Sequence, residues 1–252
     1  MTFFIRLSFL SAVIVFCLNP LAVIAQSSDS PQIAIIIDDV GNDPYLGLDI
    51  LELPGHITIS VLPEAPYARD FAQLATEFGK TVMVHVPMQP VDSEKITASF
   101  LTASQSKEEF LQKLDVFLKQ FPQAVAINNH MGSYLTSQKQ QMDWLMAALF
   151  ARNLAFIDSR TTESSVTRQA ASHYQLYYGQ RDVFLDNDKS TQAMHLQFEK
   201  LLAIAKQKGK AIAIAHPYPE TITFLKNRLA ELEKSRQFRM VSVSNVLQRS
   251  ID

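Results

Sequence analysis

Six times along this chain an apolar run rich in β-branched residues stops abruptly at an acid, an amide or an imidazole. The clearest case is Ile33-Ala34-Ile35-Ile36-Ile37-Asp38-Asp39-Val40-Gly41. A strand that is apolar on both faces needs cover on both sides, as in a parallel sheet. The pattern returns around His85, around Asn128-Asn129-His130, at Asp158, at Asp186 and at His216. Folds of alternating strands and helices place their chemistry at the carboxyl ends of the strands. Asp, Asn and His gathered at those ends therefore read as a site.

The intervening segments have helical spacing. Asp43-Pro44 is a helix start, with Asp as cap and Pro in the first turn. Further helices are expected over 67–78, 106–121, 137–152, 191–208 and 220–234, with a weaker one near 165–172. The segment 91–106 reads as an irregular loop over the site, and Met240–Val243 as a last strand. Seven or eight strand–helix units result. Strands alternating with helices imply a parallel sheet, and the count fits a closed or nearly closed barrel better than an open sheet.

The amino terminus has a different character. Arg6 precedes an apolar stretch from Leu7 to Leu18, and Val23-Ile24-Ala25 ends it in small-residue style. That is the pattern of a secretory signal cleaved after Ala25. The run is short for a membrane span of about 20 residues, so no stable membrane anchor is expected after cleavage. The domain plan is a signal peptide over 1–25, a short polar tail over 26–32 and a single catalytic domain over 33–252. Cys17 is the only cysteine and lacks the small residues expected before a lipidated one. The mature chain then has no thiol, which excludes disulfides, thiolate metal sites and a cysteine nucleophile. A periplasmic or secreted location follows as the expectation. Net charge is −2 with no basic stripe, which argues against nucleic acid as a partner.

Adjacent carboxylates repel unless a cation or proton lies between them. Neighbours on a regular strand point to opposite faces, so Asp38 and Asp39 share the mouth only if the strand ends there, and Gly41 permits that turn. One carboxylate would bind a cation and the other would take a proton from the cation's water. His85 and His130 are the candidate imidazole ligands. One Asp and two His leave a position open, as in a catalytic rather than a structural zinc site. The expected cofactor is therefore a divalent metal, zinc by ligand type. His216, restrained by Pro217, is placed to protonate a leaving group or orient a carbonyl. Asp158 and Arg160 are read as a pair that holds a ligand or supports a histidine, with an ordinary ion pair as the alternative. Asp186-Asn187-Asp188 resembles a turn as much as a site and is given low weight.

Taken together, Ile37-Asp38-Asp39-Val40-Gly41, His85–Pro90, Asn128–Ser133, Asp158–Thr161, Arg181–Asp186 and His216–Pro219 resemble the divergent polysaccharide deacetylases, a branch related to carbohydrate esterases with the NodB-type fold. The resemblance spans Ile33 to about Val246. It implies a distorted (β/α) barrel of seven or eight strands, with Asp38 as base, Asp39 as metal ligand and His216 assisting the leaving group. The chain departs from the family pattern where a second histidine is expected four residues after His85. Gln89 stands there, and His130 is read as its replacement from the next strand. The arginine-bearing third motif is also absent, with Asn129 and its neighbours in that region. The implied function is metal-dependent deacetylation of N-acetyl sugars in an envelope polysaccharide. The alternatives are a glycan-binding or scaffold protein that keeps the cleft without turnover, and hydrolysis of a different bond, such as an ester.

Overall fold

The computed structural model describes residues 30–250. The expected signal segment over 1–25 and most of the expected polar tail lie outside the described residues. Ten strands form one sheet: β1 (Gln32–Val40), β2 (Thr58–Val61), β3 (Thr81–Met88), β4 (Ala126–Met131), β5 (Ala155–Asp158), β6 (Tyr177–Gln180), β7 (Val183–Phe184), β8 (Lys210–Ala215), β9 (Arg239–Met240) and β10 (Gln248–Arg249). The order is β10-β6-β5-β4-β3-β2-β1-β8-β7, with β9 also pairing with β1. Every pair is parallel except β10 with β6.

The sheet curls into a distorted barrel. Only Arg181 and Asp182 separate β6 from β7, so one extended segment meets both ends of the parallel array. Arg181 N donates to Asp158 O beside β5, and Asp182 N donates to Ile212 O on β8. The interior is a second, smaller core: Ala34, Ile36, Met83, Ala126, Ile157, Ile212 and Ile214 share one apolar cluster. Alternate residues Ile33, Ile35 and Ile37 belong to the larger core under the helices. This two-sided burial explains why β1 is apolar throughout.

Helices α1 (Pro44–Leu51), α2 (Ala68–Glu77), α3 (Lys107–Lys119), α4 (Lys139–Phe150), α5 (Thr167–His173), α6 (Thr191–Lys208), α7 (Pro219–Ser235) and α8 (Val243–Val246) complete the chain. None among the described residues is long and apolar enough to cross a membrane. Their starts follow local chemistry. Asp43 caps α1 through Tyr45 N and Leu46 N, and Ser106 and Glu109 cap α3 reciprocally.

Two expectations are corrected. Met240–Val243 is not a strand. β9 stops at Met240, and Val243 opens α8, where Val243 and Val246 join the barrel's interior cluster. Val241-Ser242-Val243 carries the apolar-polar-apolar alternation of a strand, and both valines do reach one interior, but the backbone enters α8 at Val243. The segment 91–106 is also more ordered than a bare loop. Leu101 N donates to Pro87 O and Gln89 N to Leu101 O, so the segment returns to the end of β3.

Candidate metal centre

Within the barrel, the apolar interior gives way at the carboxyl end to a polar layer. Period two sets its members: after Ile36 comes Asp38, after Met83 comes His85, after Ala126 comes Asn128, after Ile214 comes His216. All are buried or half-buried.

Asp38 and Asp39 reach the same mouth through a backbone irregularity. Ile37 pairs with Ile59 but Val40 with Val61, so β1 spends one extra residue against β2. This bulge coincides with φ of 56° at Asp39. Left-handed backbone at a non-glycine costs about 1–3 kcal/mol and is tolerated where the site needs the side chain re-aimed. The turn expected at Gly41 therefore begins two residues earlier. Gly41 has its own requirement: at φ of 121°, a Cβ there would lie 2.9 Å from Ala65 Cβ and Ala68 Cα.

The bulge brings Asp39 Oδ1 to 3.3 Å from His85 Nε2 and 3.1 Å from His130 Nδ1, and the two ring nitrogens are 3.2 Å apart. These three atoms form a nearly equilateral triangle. Ligands about 2.0–2.1 Å from a tetrahedral ion would be separated by roughly 3.3 Å, so the triangle fits a divalent cation. The protein alone does not satisfy it: Asp39 Oδ1 is buried without a well-formed hydrogen bond. Burial pushes the Asp39 carboxyl up, but His130 and His85 outweigh it and hold it far below its ordinary value. Burial lowers His85, yet the Asp38 and Asp39 carboxylates raise it to about 9. Each shift expresses the same demand for positive charge among these groups, which a bound cation would meet.

Asn128 organises the layer beneath. Its Nδ2 donates to Asp38 Oδ1 (2.8 Å) and Ser159 Oγ (3.3 Å), which leaves Oδ1 as acceptor from Ser60 Oγ (2.6 Å) and His85 Nδ1 (2.8 Å). His85 Nδ1 therefore carries a hydrogen, and Nε2, turned toward Asp39 and His130, is the nitrogen that could ligate a cation in exchange for its proton. A ligating histidine is commonly oriented through its second nitrogen in this way. Asp38, 2% exposed, has its carboxyl raised by burial against the opposing effect of His85, His216 and Asn128. Its Oδ2 lies 3.6 Å from His85 Nε2, beside the triangle.

His216 faces the centre from β8 and is held by Asp186. Asp186 Oδ1 is 3.0 Å from His216 Nδ1, and Oδ2 accepts from His216 N (2.6 Å) and Thr221 Oγ1 (2.9 Å). Burial opposes protonation of His216, but Asp186 outweighs it and the pKa is raised. Asp186, read from sequence as a turn residue, is instead a buried anchor.

The remaining candidates fall outside the triangle. Asp158 does not join it. Ala155 and Ile157 point inward, so Asp158 faces the helix layer, where it accepts from Arg160 N, Ser165 Oγ and Thr167 Oγ1 at 2.6–2.7 Å. The expected Asp158–Arg160 side-chain pair is not formed among the described residues. Arg160 is half-buried with φ of 53°, and its carbonyl accepts from Arg181 Nη2. Asn129 Oδ1 accepts from Ser159 N and its Nδ2 donates to Met131 O. It ties the turn after His130 to the end of β5. Gln89 is no ligand substitute, since its side-chain oxygen accepts from Ala103 N.

Comparisons with known proteins agree with this architecture. The chain matches the sequence pattern of the divergent polysaccharide deacetylases over residues 35–247. It is 34% identical over 201 residues to the Escherichia coli uncharacterized protein YibQ, a match covering 80% of this chain and 63% of the relative's length. The crystal structure of an uncharacterized Agrobacterium tumefaciens protein superposes with a TM-score of 0.82 at 19% identity, covering 86% of this chain and 89% of that one. The catalytic domain of a peptidoglycan N-acetylglucosamine deacetylase from Eubacterium rectale superposes with a TM-score of 0.52 at 14% identity, over 87% and 92% of the two chains. By sequence, this chain belongs to the divergent polysaccharide deacetylase family.

Proposed function

We propose that the protein is an exported, metal-dependent hydrolase that removes acetyl groups from N-acetyl sugars of an envelope polysaccharide. The observation that carries this reading is the Asp39–His85–His130 triangle flanked by a buried carboxylate, Asp38, and an acid-held imidazole, His216. The E. rectale peptidoglycan deacetylase, which shares the fold, supports the substrate class. Export by the segment over 1–25 would place the enzyme in the periplasm or outside the cell.

A divalent ion held by Asp39, His85 and His130 would supply Lewis acidity, acidifying a water and polarising the acyl oxygen. The protein's own groups do the rest. Asp38, whose carboxyl burial makes more basic, takes the proton of the attacking water. Asn128 fixes its orientation through Oδ1. His216 gives Nδ1–H to Asp186, which leaves Nε2–H to protonate the amine as the C–N bond breaks. Asp186 raises the pKa of that imidazole, which favours the protonated form a proton donor needs.

Acetate release tests the reading. The chain from Gln26, loaded with zinc, cobalt, nickel or manganese, is expected to release acetate from N-acetylglucosamine oligosaccharides or peptidoglycan. Asp38→Asn should lower the rate by about 10²–10⁴-fold, the usual contribution of a general base. Absence of acetate with every metal and glycan would refute the hydrolase. Retained glycan binding in that case would support the alternative of a binding protein with a deacetylase fold.

A further inference from the structure

Between Asp39 and His216 a cavity of about 240 Å³ opens beside the centre. Its walls come from two segments, the chain from Val40 through α1 and the Pro217-Tyr218 turn. Val40 and Ile50 are buried and Leu46 is half-buried. The one carboxylate on the α1 side, Asp43, is committed to capping the helix through Tyr45 N and Leu46 N. What remains with surface to meet a ligand is mainly hydrocarbon, Leu46, Pro217 and the Tyr218 ring, backed by the buried Val40 and Ile50, with the exposed Asn42 beside them.

We infer that this cavity is an acyl pocket sized for chains longer than acetyl, about four to six carbons. The inference rests on the deacylase reading, in which the scissile carbonyl lies between the group held by Asp39 and the proton donor His216. Two substituents leave that carbonyl carbon. The sugar side is polar and belongs in the open mouth, while the acyl tail is apolar and belongs against hydrocarbon. The cavity opens between the two residues that bracket the carbon. An acetyl methyl occupies little more than a water's share of about 30 Å³, roughly one eighth of the space. A pocket serving acetyl alone would leave most of that apolar wall wet.

Each additional buried methylene contributes about 0.8 kcal/mol, or roughly fourfold in binding. The direct test measures affinity rather than turnover. Acetate, propionate, butyrate and hexanoate are titrated by calorimetry into the zinc-loaded chain from Gln26, as probes of the released acid. Affinity should rise about fourfold per methylene up to butyrate. Leu46→Trp, which fills the cavity, should flatten the series. Leu48→Trp on the exposed face of the same helix (Leu48 is 47% exposed) should not. Equal affinity for acetate and butyrate in the unmodified chain overturns the inference, whatever the variants do. A chain-length series that appears without hydrolysis of any N-acyl glycan leaves the pocket standing and removes the hydrolase. Hydrolysis of N-acetyl glycan with a flat series does the reverse.

Discussion

At the scale of single residues, the main groups of the candidate centre are each held by a partner that orients them or shifts their protonation. Asn128 does this for His85 and Asp38, and Asp186 does it for His216. The Asp186–His216 pair makes a prediction with a definite sign. The folded pKa of His216 lies above its ordinary 6.5. The pair's stabilisation is therefore fully present below about 6.5 and fades as pH rises through the raised value. Both side chains are largely buried, 16% and 0% exposed, so losing one partner is expensive. Asp186→Asn should destabilise the protein by about 2–4 kcal/mol near pH 6, with a smaller difference at pH 9. Urea midpoints measured from pH 6 to 9 check this, and a pH-independent difference would contradict it.

At the scale of elements, the geometry depends on how β1 ends. The bulge at Asp38–Asp39 and the turn at Gly41 deliver two adjacent carboxylates to one mouth. Gly41→Ala forces a side chain onto φ of 121° and against Ala65 and Ala68 at 2.9 Å. A loss of about 3 kcal/mol is expected from strain and overpacking together, readable as a lowered melting temperature. Much of this layer was legible in the sequence, because apolar runs stopping at Asp or His declare both the strand and its functional end. The triangle's members were visible for that reason. Asn128 was visible as part of a strand end but its role was not, and Ser60 was not visible at all, since an amide or hydroxyl looks like any polar residue until register sets it beside His85. Asp186 was hidden by the Asn187-Asp188 that follows, which reads as turn chemistry. Asp158 was over-read: counting by two from Ala155 and Ile157 would have turned it outward. The bulge had no signal, because the extra residue is defined only against β2.

At the scale of the whole molecule, barrel closure turns dispersed strand ends into one centre. Asp39, His85 and His130 sit on three different strands, and Asp186 and His216 follow β7 and β8, on the opposite side of β1 from β3 and β4. The segment from β6 to β7 bridges β5 and β8, so the mouth is ringed rather than open along an edge. Beneath it the interior is apolar and plugged by α8, which keeps the polar layer at one end. The account then stands on one claim, that Asp39, His85 and His130 together hold a divalent cation. Elemental analysis of the purified protein beside Asp39→Ala and His130→Ala tests it most directly. The account predicts a stoichiometric divalent metal in the unmodified protein and its loss in both variants. Metal retained by either variant, or absent from unmodified protein prepared in metal-replete conditions, would contradict it.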